Sequence, residues 1–211
     1  MKSKEIRSEQ TFLRNEFDAC GSWNIPIVRK NKLDLDTVDL ICFADIKAND
    51  TNENTKKGVH FFIDDYRMDN VYANYEKVLP RLRQYRFILT PDYSLYKDLP
   101  RAIQVYNVFR NRWCGAYWQK QGLTVIPTIS WSDAPSYDFC FSGVEKGSIV
   151  AIGMIGCKRG CKTAFMRGYN AMLERIEPQA VICLGTPFQE MTGNIISIDY
   201  MTTRRVDRNG R

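Results

Sequence analysis

The sequence predicts an α/β fold built on a mostly parallel sheet of βα units, and three observations carry that prediction. Seven short runs rich in β-branched and aromatic residues recur along the chain. They are continuously apolar rather than alternating, as strands buried on both faces of a parallel sheet are. Segments of helical period lie among them, and no Asn-Gly or Asp-Gly hairpin stands between any two. Seven strands are one short of an eight-unit barrel, in a chain at the low end of barrel length. A reduced or incomplete TIM-like barrel is therefore favoured over an open doubly wound sheet.

Residues 1–32 are charged and mixed and read as an N-terminal extension packing on the domain; 33–200 form a single α/β domain; 201–211 form a basic tail predicted to be disordered. The strands are VDLICFAD, VHFFIDD, RFILTPD, LTVIPTIS, SIVAIGMIG, AVICLG and IISIDY, with KANDTNENTKK at 47–57 a polar loop before the second. A long helix lies between RFILTPD and LTVIPTIS, with Asp98 as cap, Pro100 in the first turn and Gly122 as the stop. Its apolar stripe is Ile103, Tyr106, Phe109, Trp113 and Tyr117, each three or four residues from the last. A second stripe, Ala164, Phe165, Tyr169, Met172, Leu173 and Ile176, is ended by Pro178.

With 44% hydrophobic and 12% aromatic residues the chain has the material for a sizeable core, which excludes a disordered protein. Half of the net charge of +6 comes from Arg204, Arg205, Arg208 and Arg211 against Asp207, leaving a nearly neutral body. That argues against broad coating of duplex DNA but leaves room for a local anion site. No apolar run reaches membrane-spanning length, and the first residues, MKSKEIRSEQTFLRNE, are charged where a signal peptide is apolar. A cytoplasmic protein with no membrane partner is expected. The 7 cysteines are odd in number and mostly sit in apolar runs, so they read as reduced core thiols.

Ligands of parallel α/β folds gather at the carboxyl ends of the strands. Asp45 follows the first strand; Asp64, Asp65, Tyr66 and Arg67 the second; Thr90, Asp92, Tyr93 and Ser94 the third; Trp131, Ser132 and Asp133 the fourth. Singly, each aspartate is suited to capping the next turn. Their recurrence on one face suits an acid and base pair, or oxygen ligation of Mg²⁺ or Mn²⁺ with Asp64 and Asp92 as ligands. Asp64, Asp65, Asp92 and Asp133 are the candidate catalytic residues, with Tyr66, Arg67, Tyr93, Trp131 and Ser132 as substrate contacts.

The sign of the rim reverses in GCKRGCKT at 156–163. This is a near miss of the phosphate-loop pattern, with Cys161 where glycine is required, yet Lys158, Arg159 and Lys162 at a helix start suit an anion. Cys157 and Cys161 lack a second pair for zinc. The one histidine, His60, begins VHFFIDD, which puts it at the strand end opposite the acidic rim and leaves no Ser-His-Asp or Cys-His engine. In RNRWCGAYW, Trp113 is expected buried and Arg112 exposed, while Arg110 at the stripe edge suits pairing with a buried carboxylate.

The stretches GVHFFIDDYRMDNVYANYEKVL, RFILTPDYSLYKDLPRAIQVYNVFRNRWCGAYWQKQGLTVIPTISWSD, FCFSGVEKGSIVAIG and GYNAMLERIEP resemble a bacterial and phage family known as domain of unknown function 4417, over roughly residues 24–200. The resemblance implies a single α/β domain carried by Gram-positive bacteria, their phages or mobile elements, and supplies no mechanism. The FIDDYR, TPDYS and SWSD positions match the family pattern, which does not insist on the two cysteines of GCKRGCKT. The reading that joins an acidic, metal-capable rim to a basic loop is metal-assisted hydrolysis or transfer on a phosphate-containing substrate, a nucleotide or nucleic acid. A glycosidase-like carboxylate pair and a non-enzymatic binder of a host protein or nucleic acid are the alternatives.

Overall fold

The computed structural model describes residues 5, 9–155, 157 and 161–204. A short antiparallel pair, β1 (Ala19–Cys20) and β2 (Ile25–Pro26), precedes seven parallel strands: β3 (Leu40–Cys42), β4 (Gly58–His60), β5 (Phe87–Leu89), β6 (Val125–Ile126), β7 (Ile149–Gly153), β8 (Ala180–Leu184) and β9 (Ile195–Ile198). The ladders run β3 to β6 and β7 to β9 in chain order. A parallel bridge between Thr128 and Ala151 joins the two groups, with Pro127 O accepting from Ala151 N at 2.9 Å. Pro127 has no N–H to offer, and beside it the pairing with β5 passes to side chains, Thr128 N donating to Thr90 Oγ1 at 2.8 Å and Thr128 Oγ1 to Thr90 O at 2.7 Å.

All seven predicted strands are present, and both faces of the sheet are buried. Leu40, Phe87, Leu89, Ile126, Ala151, Ile182 and Ile198 belong to one interior cluster, while Ile41, Val59, Ile88 and Val125, and then Val150, Ile152, Val181 and Cys183, face the helices on the other side. Leu40 of the first parallel strand and Ile198 of the last share that interior, so the sheet curls around it. The order carries no reversal of the kind that marks a doubly wound sheet. Among the described residues no ladder returns from β9 to β3, and no closed barrel is formed. A 3-10 turn, Tyr200–Thr203, lies at this seam instead, where Thr203 Oγ1 meets His60 Nε2 at 2.9 Å.

Seven helices accompany the strands among the described residues: α1 (Gln10–Leu13), α2 (Asn52–Thr55), α3 (Asp69–Ala73), α4 (Tyr75–Leu82), α5 (Arg101–Lys120), α6 (Tyr137–Cys140) and α7 (Lys162–Ile176). The expected polar loop at 47–57 holds α2, which Thr51 caps through Asn54 N at 3.4 Å. α5 and α7 are the two predicted helices; α7 buries Phe165, Tyr169, Met172 and Ile176. On α5 the apolar stripe departs from expectation, since Ile103 and Tyr106 are 45% and 47% exposed, whereas every residue from Asn111 to Trp118 is buried. The second half of α5 is enclosed by the sheet and by residues of the N-terminal extension packed against it. A Cβ on Gly115 would stand 2.7 Å from Thr90 Cγ2 and 2.8 Å from Val28 Cγ2, so only glycine lets the helix pack this closely on both. Ile25 and Val28 are fully buried, and Arg14 stacks 4.0 Å over Trp113, which makes the extension part of the core.

Three further expectations are corrected. Arg112 is not exposed: it lies wholly inside, donating from Nε to Ser142 O at 3.0 Å, from Nη1 to Thr128 O at 2.8 Å and Asn111 Oδ1 at 2.6 Å, and from Nη2 to Cys140 O at 3.0 Å. His60 closes β4 rather than opening it, because that strand is only three residues long, so it stands at the carboxyl end. Its Nδ1 accepts from Phe62 N at 3.2 Å, and burial, with Arg204 nearby, lowers its pKa to about 3. The tail is ordered through its first residues, with Thr203 buried and Arg204 Nε 2.9 Å from Asp45 Oδ2; 205–211 lie outside the described residues.

Replacing Arg112 by methionine keeps the length of the side chain but leaves the carbonyls of Cys140 and Ser142 without their donor, while Thr128 O keeps Asn111 Nδ2 at 3.3 Å. Each orphaned buried acceptor costs about 1–3 kcal/mol. Arg112→Met is expected to lower stability, read from the urea midpoint, by at least about 2 kcal/mol; a midpoint within error of the parent would show that these bonds are not needed.

Candidate functional site

The carboxyl ends of the strands surround a cavity of about 800 Å³. Its wall is made of Phe62, Asp64, Asp65 and Arg67 after β4, Asp92, Ser94 and Tyr96 after β5, Ile103, Asn107 and Arg110 from one face of α5, Ser130 and Trp131 after β6, Ile155 and Cys157 after β7, and Tyr200 and Arg204 after β9. Parallel strands deliver all of these loops to one end, which is why residues so far apart in sequence converge.

Asp65 and Arg110 frame one side. Ser94 Oγ donates to Asp65 Oδ1 at 2.7 Å and Ser94 N to Oδ2 at 3.1 Å, which ties the loops after β4 and β5 together. Arg110 lies 3.7 Å from Asp65 Oδ2 and 3.1 Å from Asp69 Oδ1, donates to Asn107 Oδ1 at 3.1 Å, and stacks 3.5 Å over the ring of Tyr93. The arginine thus holds the carboxylates rather than standing free. Tyr93 itself is turned into the core, its hydroxyl donating to Met68 O at 3.0 Å.

Asp92 is different. It lines the cavity, yet its Oδ1 is sealed from solvent and has no hydrogen-bond partner among the described residues. Burial, and then the neighbouring carboxylate of Asp65, raise its pKa to about 7, against opposing effects of a hydrogen bond with Ser130 and the charge of Arg112. A carboxyl that exchanges its proton near neutrality suits acid–base work. Asp64 and Arg67 are exposed at the cavity mouth, and neither has an ion-pair partner among the described residues.

Of the other predicted site residues only Trp131 is in the cavity wall among the described residues. Asp133 is bound in a two-pronged pair by Arg101, at 3.0 and 3.2 Å, and this guanidinium holds its carboxyl below the usual range. Ser132 Oγ bonds Gln104 Oε1 at 2.7 Å, and Tyr66 projects into solvent at 73% exposure. Lys162 pairs with Glu190 at 2.6 Å. Lys158 and Arg159 lie outside the described residues. Trp131 faces the cavity as expected, held against α7 at Gly168, where a Cβ would come within 2.1 Å of the indole nitrogen. Among the described residues no group of three or more His, Cys, Asp or Glu side chains converges.

Sequence reasoning did not place Asn107, Ser130, Tyr200 or Arg204 in the site. The Ile103, Asn107, Arg110 spacing was a legible helical face, but it lay beside a stripe that seemed to account for the helix. Nothing in the tail sequence distinguishes Arg204 from its neighbours.

A profile described as domain of unknown function matches residues 17–201. The Gene 1 protein of Mycobacterium phage L5 is 36% identical over 175 residues, 82% of this chain and 76% of that protein. The Gene 1 protein of Mycobacterium phage D29 is 43% identical over 129 residues, 60% of this chain and 48% of that protein, so the match spans about half of the D29 protein. No solved structure matches. Among the described residues, no helix is long and apolar enough to cross a membrane.

The raised pKa of Asp92 has a stability consequence. In the unfolded chain it ionises near ~4, and in the folded protein only near about 7. The folded state therefore holds the extra proton between these values, and this group makes stability fall as pH rises through that window. Asp92→Asn is expected to gain stability over the parent at about pH 8 relative to about pH 4.5. Thermal melts of both proteins at the two pH values check this, and an equal difference at both would show that Asp92 ionises normally.

Proposed function

We propose, from the premise that the chain belongs to the domain of unknown function family DUF4417, that its cavity binds a nucleotide and that Asp92 moves a proton in a hydrolysis or transfer reaction on it. The observation that carries this reading is the half-buried Asp92 carboxyl, its Oδ1 sealed and lacking a partner among the described residues, poised near neutrality in the cavity wall. An unpartnered buried oxygen is costly to the fold, which favours a role in the site over one in packing.

The substrate class follows from the wall. About 800 Å³ is within the roughly 300–1,000 Å³ of small-molecule sites. The lining combines apolar residues, Leu95, Leu99, Ile103 and Trp131 among them, with charged ones that include Asp64, Arg67 and Arg204. A ligand with a flat apolar part and an anionic part suits both. Arg110 and Arg204 already have carboxylate partners, so Arg67 is the cavity arginine available to a phosphate among the described residues. The reading places no step on a metal. A sugar is the second reading, favoured by the indole of Trp131 beside Asp92.

Nucleoside mono-, di- and triphosphates, tested by thermal shift, are expected to raise the melting temperature. A ligand at a hundred times its Kd adds roughly 2.7 kcal/mol. Arg67→Ala should weaken binding, and Asp92→Asn should abolish turnover while keeping the fold. Absence of any shift with nucleotides, together with a shift from oligosaccharides, would move the assignment to the sugar.

A further inference from the structure

A smaller pocket of about 80 Å³ opens off the floor of the large cavity, with which it shares Asp92, Ser130, Trp131, Gly153 and Cys157. One buried water needs roughly 10–15 Å³ on this measure, so the pocket is too large for a single water and takes a ring-sized group. Ile129, Ile152, Trp131 and Phe165 give it apolar walls, and the Trp131 and Phe165 rings stand 5.0 Å apart at 48°. The side-chain polar groups on its lining residues are the Asp92 carboxyl, the Ser130 hydroxyl, the Trp131 indole N–H and the weakly polar Cys157 thiol; among the described residues no cation lines it.

These features select among the parts of a nucleotide. A phosphate seated here would meet a carboxyl group with no cation in the lining, so the anionic end is excluded. A sugar ring presents several hydroxyls around its edge, which a pocket with mostly apolar walls leaves largely unsatisfied. A heterocyclic base presents two apolar faces and an edge with one or two N–H or ring-nitrogen groups, and fits a pocket with apolar walls and one carboxyl. The Asp92 terminal torsion is two-fold, so either oxygen can face the ligand. We infer that the floor pocket beside Asp92 is the seat of the nucleobase, so that the ligand enters base first and leaves its phosphate with Arg67 at the mouth. This orientation rests on the nucleotide reading and adds to it that the bond nearest Asp92 is at the base, away from the phosphate.

The test measures binding of nucleoside monophosphates, the matching nucleosides and ribose 5-phosphate to the full chain, by calorimetry. Nucleosides are expected to bind within about tenfold of their monophosphates, because the base supplies the buried contacts, and ribose 5-phosphate more than about tenfold more weakly. Cys157→Phe, which fills the pocket from its half-buried side, should weaken nucleosides and nucleotides by about tenfold or more and leave ribose 5-phosphate unchanged. Asp92→Asn, nearly isosteric, tests the same point without added volume and should show the same pattern. Nucleotides bound at full affinity by both variants would overturn the base-first orientation while leaving the nucleotide reading intact. Loss of ribose 5-phosphate to the same degree as the nucleosides in Asp92→Asn would also overturn it. If the parent binds none of these compounds, both readings fall.

Discussion

A guanidinium with no carboxylate in ion-pair contact among the described residues sits wholly inside this protein, and the geometry of the site depends on it. Arg112 reaches three carbonyls that no sheet ladder holds: Thr128, just past β6, and Cys140 and Ser142 around the end of α6. The segment from Thr128 leads directly into Ser130 and Trp131, which wall both cavities. Burial lowers the pKa of Arg112 to about 10, so it remains charged at neutral pH. Its charge opposes the upward shift of Asp92, whose Oδ1 stays unpartnered among the described residues. The same residue therefore fixes a loop and moderates the electrostatics of the cavity floor.

The strand-end aspartates have divided their roles according to what reaches them. Asp133 meets the fork of Arg101, and Asp65 meets the backbone and hydroxyl of Ser94. Both are held in place by donors. Asp92 receives too little to offset its burial, and Asp64 remains in solvent at the mouth. The run of strand-end carboxylates is thus part scaffold and part site, and the difference lies in partners drawn from α5 and neighbouring loops.

Those partners also explain how far the sequence could be read. The seven parallel strands were legible because each is an apolar run buried on two faces, and the carboxyl-end rule led to Asp64, Asp65, Asp92 and Trp131 in the cavity wall. The pair β1 and β2 was not legible, since each strand has two residues and its stability comes from packing against α5. The segment Asp69–Leu82 gives two short helices with Pro80 inside the second, which hides their period. Arg112 defeated sequence reasoning for a different reason: its acceptors are backbone carbonyls, and a carbonyl leaves no trace in residue type.

The contact between His60 and Thr203 spans 143 residues. It lies at the seam where, among the described residues, β9 has no ladder to β3, so the side of the interior between first and last strands is covered only when Tyr200–Thr203 is in place. Contacts of such separation carry a large loop-closure cost and slow folding. The ladders β3 to β6 can pair before this contact forms, but the interior that Leu40 shares with Ile198 stays open until β9 and the turn behind it have docked. A partly folded chain therefore exposes an apolar furrow along that seam, and its closure is a late step of folding.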